Sequence, residues 1–273
     1  MMGYLCETTS IEGLVQLLAC NYLPHGYWFY VSGWVPDGKD PRQVDAKLID
    51  KYRIELPRAT RTRRKQLGYA NLQYLRYGRF FVLLATHGKH RFHEEEAACI
   101  RDVRRIPIRF AGYSISYRRG NRRVDGTPDA KWHSHVEIDR QSFQQLQAWL
   151  VDRATRCSAE GLALEFYRIP FEPYAPVRRQ MLRLLRIVNQ ARKQAGREPI
   201  PHAVLPLRRR VVRPFEPRES GAIRVPERDD ILGLRRDNLV ACCLGSEVLT
   251  VDSSEILMPT AVPHKKDGRI DGK

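Results

Sequence analysis

The sequence predicts an α+β fold: an antiparallel sheet covered by helices, followed by a long basic amphipathic helix and a largely irregular C-terminal tail. Aromatic and β-branched strand segments fill the first half, helical periodicity dominates from residue 139 to 197, and periodicity fades after residue 213. We therefore divide the chain into an α+β domain over residues 1–170, a basic helix with a basic strand-like segment over residues 171–213, and an extended or disordered tail over residues 214–273.

The first part of the chain contains two predicted helices around one strand. Thr9 and Glu12 have capping-box spacing, which predicts a helix over residues 9–23. The aromatic segment at residues 26–35 predicts a buried strand. Asp40 is then a good cap for a second helix.

Further strands follow a basic segment. Residues 56–66 fit either a short helix or an exposed loop. Residues 72–86 give the strongest strand signal, with a hairpin turn near residues 77–78. Residues 106–118 alternate in two phases, and one extra residue at 111–112 would bring all the apolar side chains to one face, which indicates a β-bulge.

Three helices are predicted after residue 138. Asp139 and Ser158 are caps for the first two. The third covers residues 175–197, where Pro176 suits the first turn and Gly196 suits the exit. One face of this helix is apolar and the other is basic, without any carboxylate to neutralise it. Because solvated helices normally mix charges, we expect the basic face, here called the basic ridge, to contact a polyanion. The basic ridge consists of Arg179, Arg183, Arg186, Lys193 and Arg197.

Charge supports a nucleic-acid partner. The 273 residues include 47 Lys+Arg against 31 Asp+Glu, which gives a formal net charge of +16. The isoelectric point of about 9.9 lies above the value typical of proteins that do not bind nucleic acid. Arginine predominates, and arginine both forks onto phosphates and stacks on bases. Further candidate phosphate contacts are Arg58, Arg61, Arg63, Arg64, Lys65, Arg76, Arg79, Arg118, Arg119, Arg122, Arg123, Arg208, Arg209 and Arg210.

One strand segment resembles part of the RNA-recognition motif. The segment from Arg76 to Val82 partly matches the basic-Gly-aromatic pattern of its RNP1 strand, which stacks unpaired bases. A surface that combines Tyr74 and Tyr77 with Arg76 and Arg79 would suit single-stranded nucleic acid. A buried core strand is the alternative, because the residues after Arg79 are apolar on both faces.

Two histidines, His133 and His135, occupy alternate positions of a predicted strand and so face the same way. The pair resembles the His-hydrophobe-His motif of the HUH endonucleases, with Ser134 in place of the hydrophobe. The resemblance implies a Mg²⁺ or Mn²⁺ ion held by the two histidines and a tyrosine nucleophile, for which Tyr167 and Tyr174 are the candidates.

We therefore expect a cytoplasmic nucleic-acid-binding protein with no catalytic centre and no cofactor of its own. RNA, or an RNA-containing nucleoprotein complex, is preferred to duplex DNA, and an accessory of a mobile element or of an RNA-guided complex fits this description. No membrane partner is expected, because no segment reaches about 18 continuous apolar residues and no signal peptide is visible. The alternative is a metal-dependent HUH-like endonuclease or transposase that acts on single-stranded DNA through His133, His135 and a tyrosine.

Overall fold

Two antiparallel sheets form the centre of the fold in the computed structural model, which describes residues 4–120 and 130–216. The larger sheet has the strand order β2-β3-β1-β4 and the smaller one has the order β5-β6-β7. The strands are β1 (Tyr27–Trp34), β2 (Leu72–Tyr77), β3 (Phe80–Thr86), β4 (Arg101–Asp102), β5 (Ile108–Phe110), β6 (Tyr113–Arg119) and β7 (Trp132–Ile138). The predicted α+β class is confirmed, with the strands divided between two sheets.

The helices pack against these sheets and against one another. They are α1 (Ile11–Gln16), α2 (Pro41–Lys51), α3 (Arg58–Gln66), α4 (Arg91–Glu95), α5 (Arg140–Ala154), α6 (Ala159–Arg168) and α7 (Ala175–Gln194). The caps predicted at Asp40, Asp139 and Ser158 are present. Residues 56–66, which fitted either a helix or a loop, contain α3. Within the described residues, no helix is both long and apolar enough to span a membrane.

The first helix differs from its prediction. The α-helix ends at Gln16 and continues as a π-helix over Leu17–Tyr22 and a 3₁₀ turn over Leu23–His25. Its cap is Ser10, whose hydroxyl accepts the Gly13 N–H at 3.0 Å. The predicted cap at Thr9 is wrong because that residue binds the C-terminal segment instead.

The predicted β-bulge at residues 111–112 is wrong. Phe110 pairs with Tyr113, so the chain reverses there in a two-residue hairpin. Ala111 and Gly112 have φ values of +47° and +74°, and positive values at both positions define a type I′ turn. Because residues opposite each other in a hairpin share a face, the apolar residues from Ile108 to Tyr117 do meet on one buried face, but on two strands, whereas Ile106 is exposed.

The segment after α7 also differs from its prediction. Residues 207–213 form no strand with the described residues; they run extended past α1. From residue 217 onward the predicted tail lies outside the described residues.

Candidate nucleic-acid interface

The outer face of α7 carries an exposed row of cations. The apolar stripe of this 20-residue helix is buried, whereas Arg179, Arg183, Arg186 and Lys193 on its other face are exposed. The helix ends at Gln194 and not at residue 197 as predicted, so Arg197 is exposed but lies three residues beyond the helix. No residue of the basic ridge forms an ion pair with an acidic side chain in the part of the chain that the structure describes. At about 1.5 Å per residue the helix is ~30 Å long, so the ridge presents a linear array of positive charge to solvent.

Two contacts fix the rotation of α7 about its axis. The amide of Gln180 accepts the Ile138 N–H and donates to the Ile138 carbonyl, both at 2.8 Å. At the other end, the buried Arg192 donates to the carbonyl oxygens of Ala154 and Cys157, each at 3.0 Å. Arg192 therefore closes the C-terminus of α5, and the ridge side chains within α7 are held on the opposite face. Arg197, beyond the end of the helix, donates to the same Cys157 carbonyl at 3.3 Å.

An open cleft of about 470 Å³ lies beside the start of α7. The Arg209 guanidinium lies 5.0 Å from the centre of the Tyr174 ring and donates to the Cys20 sulfur at 3.1 Å. Burial raises the pKa of Tyr174 to about 12. We call this the arginine cleft, and it is lined by Pro173, Tyr174, Ala175, Arg178, Leu207, Arg208 and Arg209.

The segment of residues 207–216 carries three of the predicted arginines, and contacts with the side-chain amide of Gln16 hold it on α1. Gln16 donates from Nε2 to the Val212 carbonyl at 2.8 Å and accepts the Val212 N–H at 3.1 Å. Thr9 donates its backbone N–H to the Pro214 carbonyl at 2.9 Å. We call residues 207–216 the strap. It leaves Arg208, Arg209 and Arg210 exposed.

The helix α3 is a second basic surface. None of its residues is buried, and Arg58, Arg63 and Lys65 are exposed while Arg61 and Arg64 are half-buried. Arg64 donates to the Ala70 carbonyl at 3.1 Å and lies 5.6 Å from the centre of the Tyr69 ring.

Two predicted contacts, Arg76 and Arg79, lie in the hairpin of β2 and β3. The side chain of Arg76 is only 3% exposed and pairs with Asp45 at 2.8 Å and with Glu7 at 3.1 Å, so the structure removes Arg76 from the proposed interface. Arg79 donates to the Val35 carbonyl at 2.9 Å. The RNP1-like surface is not formed, because Tyr74 is also fully buried; this segment is a core strand.

The remaining predictions concern β6, β7 and two tyrosines. His135 contacts the Glu137 carboxylate at 3.2 Å, and the same carboxylate pairs with Arg118 at 3.3 Å. His133 is exposed on the same face of β7, and Arg119 ends β6. Within residues 4–120 and 130–216, no three His, Cys, Asp or Glu side chains are grouped so as to hold a metal ion.

Tyr167 lies on α6 and Tyr174 immediately precedes α7. The raised pKa of Tyr174 makes this tyrosine a weaker nucleophile at neutral pH. The described geometry therefore adds no support to the nuclease hypothesis. Arg122 and Arg123 lie outside the described residues.

The sequence analysis did not include Arg178, or the arginines of residues 101–109, among the candidate phosphate contacts. Arg178 lines the arginine cleft but lies off the basic ridge, so helical periodicity alone excluded it. The segment at residues 101–109 contains four arginines, a local density that could have been counted. They are Arg101, Arg104, Arg105 and Arg109.

No protein-family model, curated protein or solved structure matches this chain. Its function therefore has to be inferred from its own residues.

Proposed function

We propose that this protein binds nucleic acid through the basic ridge of α7, with single-stranded RNA preferred to duplex DNA. The observation that carries the proposal is a row of exposed cations without described acidic partners. An ion-paired arginine must give up its partner before it binds a phosphate, whereas the ridge arginines have no described ion pair to break. Their described contacts are uncharged: Arg183 lies over the Phe143 ring and Arg197 donates to the Cys157 carbonyl.

The geometry of the ridge suits a phosphodiester backbone. A helix of ~30 Å is long enough to lie alongside several consecutive phosphates, since one strand of a duplex carries one phosphate for each rise of about 3.4 Å along the duplex axis. Because Gln180 and Arg192 fix the rotation of the helix, the ridge is ordered before it binds, and less entropy is lost on association. Phosphate contacts of this kind give affinity but do not read sequence.

The arginine cleft extends the positive surface at the start of α7. Arg178 lines the cleft with Arg208 and Arg209 and is next in the chain to Arg179 of the ridge, so it lies where the two surfaces adjoin. A backbone that follows the ridge can therefore continue into the cleft. Two features support the preference for RNA: arginine is in excess, and aromatic side chains lie close to the arginines. Both kinds of side chain stack on unpaired bases.

Charge reversal on the ridge tests this proposal. We expect Arg183→Glu with Arg186→Glu to abolish binding of labelled single strands of about 20 nucleotides, a length that exceeds the ridge. Fluorescence anisotropy measures affinity for single-stranded RNA, single-stranded DNA and duplex DNA, and circular dichroism checks the fold.

The matched control is Arg42→Glu with Lys47→Glu on α2. These two positions are also exposed on a helix. Arg42 lies in the first turn of α2, where a negative charge interacts favourably with the helix dipole. The control should keep wild-type affinity. Equal affinity of the wild-type protein and the ridge variant would refute the proposal.

A further inference from the structure

Four flat side chains stack in a row that links the two sheets. The Arg104 guanidinium lies 4.4 Å from the centre of the Trp28 ring. Trp28 stacks on Tyr117 with ring centres 5.9 Å apart and 25° between planes. Tyr117 stacks on Trp132 at 5.8 Å and 19°. We call Arg104, Trp28, Tyr117 and Trp132 the stacking ladder.

The three members of the ladder other than Trp132 are held in place. The Arg104 guanidinium, at one end, donates hydrogen bonds to the Asp102 carboxylate at 2.9, 3.1 and 2.7 Å. The Trp28 indole donates to the Leu23 carbonyl at 3.1 Å. Tyr117 lies between two rings and is only 8% exposed. Trp132 is therefore supported on one face by a rigid stack.

Trp132 ends the ladder and is open to solvent. It is 45% exposed, and its Tyr117 contact is its one described ring contact. The other strongly exposed tryptophan, Trp34, meets Phe80 at 61° in an edge contact, so it does not end a parallel stack. A flat aromatic ring placed on the outer face of Trp132 would continue the ladder in an offset-stacked arrangement.

Charge around Trp132 indicates which kind of ring it binds. Arg119 is paired with Trp132 across the two strands, is exposed, and has no described acidic partner. Arg118 lies beside it in the chain. A nucleotide offers both a flat ring for Trp132 and a negatively charged phosphate for Arg119, whereas an aromatic side chain of a protein partner offers no negative charge to Arg119. Bases inside a duplex already stack on each other and cannot reach Trp132.

We propose that Trp132 stacks an unpaired nucleobase while Arg119 contacts the adjacent phosphate. This inference rests on the proposed function, since it assumes a nucleic-acid partner, and it adds a physical reason for the preference for single strands. Stacking on one aromatic side chain gives affinity without sequence selectivity, because every base has a flat face.

Substitution of Trp132 tests the inference. We expect Trp132→Leu to weaken binding of a single-stranded oligonucleotide roughly 5- to 100-fold and to leave duplex affinity unchanged. Trp132→Phe keeps a flat ring and should retain most of the affinity. Trp34→Leu is the matched control, an exposed tryptophan outside the ladder, and should change nothing.

A base-free oligonucleotide separates stacking from a structural effect. The wild-type protein should bind a strand with abasic sites more weakly than an intact one, whereas Trp132→Leu should not distinguish the two. If Trp132→Leu binds both strands as tightly as the wild type, the stacking inference fails while the proposed function stands. If the wild-type protein binds no nucleic acid at about 50 mM salt, where phosphate contacts are strongest, the proposed function fails and this inference fails with it.

Discussion

Arg76 places its guanidinium on the carboxylate of Asp45 inside the protein, with Nε 2.9 Å from each carboxylate oxygen. The same carboxylate accepts the Tyr74 hydroxyl at 2.7 Å and the Cys6 thiol at 3.6 Å. Burial and the neighbouring Asp45 raise the pKa of Cys6 to about 12, so this thiol is unreactive at neutral pH. One carboxylate therefore joins α2, β2 and the N-terminal segment.

Removal of Arg76 should destabilise the protein, because the buried Asp45 carboxylate would lose its cationic partner and has little contact with solvent to replace it. We expect Arg76→Ala to lower the free energy of unfolding by about 3–5 kcal/mol, as measured by urea denaturation. Arg156→Ala is the control: Arg156 and its ionic partner Asp152 are both exposed, so its loss should cost about 1 kcal/mol or less. The folded Arg76→Ala protein should keep its affinity for nucleic acid; a selective loss of affinity without a loss of stability would return Arg76 to the interface.

The position of Arg76 illustrates what the sequence alone could not predict. The hairpin near residues 77–78 was predictable because a turn is encoded by neighbouring residues. The burial of Arg76 depends on Asp45, which lies 31 residues earlier in the chain. A local sequence pattern cannot predict a pair of residues so far apart in the chain. The exposed ridge of α7 was predictable for the opposite reason, since one helical period defines both of its faces. The stacking ladder was not predicted from the sequence either, because its side chains come from three separate strands and a loop.

The turn at Ala111 and Gly112 gives a prediction about stability. A methyl group at Gly112 would lie 2.9 Å from a ring carbon of Phe171 and would require φ of +74°. We expect Gly112→Ala to destabilise the protein by about 1–3 kcal/mol. Ala111→Asn should instead stabilise it by about 0.5–1 kcal/mol, because asparagine tolerates the left-handed conformation of a type I′ turn. Urea denaturation measures both. If the Ala111→Asn protein were less stable than the wild type, the type I′ assignment would be wrong.

His90 should make stability depend on pH. Its Nδ1 accepts the Phe92 N–H at 3.1 Å as the cap of α4, which requires an unprotonated Nδ1. Burial lowers the pKa of His90, and the nearby Arg64 and Arg91 lower it further. The unfolded chain therefore takes up this proton more readily, so the stabilisation is present above about pH 6.5, the unfolded pKa, and is lost as the pH falls through the folded value.

The substitution His90→Asn isolates this effect. Asparagine retains a capping oxygen but does not titrate, so the decrease in unfolding free energy between about pH 7 and pH 5.5 should become smaller. His202→Asn is the control at an exposed histidine. Identical pH profiles for the wild type and His90→Asn would show that the cap is not the group responsible.

Salt dependence should count the phosphates that the ridge neutralises. Each contact with a single strand adds about 0.7 to the slope of log affinity against log salt. Arg183→Gln with Arg186→Gln should therefore reduce the magnitude of the slope by about 1.4, whereas Arg42→Gln with Lys47→Gln should leave it unchanged. Anisotropy titrations from about 50 to 200 mM salt provide the slopes. A weaker affinity with an unchanged slope would mean that these arginines act on the fold and not on phosphates.

Gln16 should control the position of the strap. Its amide makes both backbone hydrogen bonds of Val212, and a shortened side chain makes neither. We expect Gln16→Ala to speed amide hydrogen exchange across residues 208–216, while Gln144→Ala, at an exposed position of α5, leaves that exchange unchanged.

Release of the strap should also affect binding. Arg208 and Arg209 would remain in the chain but would have to be ordered when nucleic acid binds, at an entropic cost that the wild-type protein has already met on folding. We therefore expect Gln16→Ala to weaken affinity about 5- to 150-fold, since roughly 0.5–1.5 kcal/mol is lost for each of these two side chains that must be immobilised. Because no charge is removed, its salt slope should remain that of the wild type, unlike the slope of the ridge variant. Faster exchange with unchanged affinity would place the arginine cleft outside the nucleic-acid interface and leave the ridge of α7 as the contact surface.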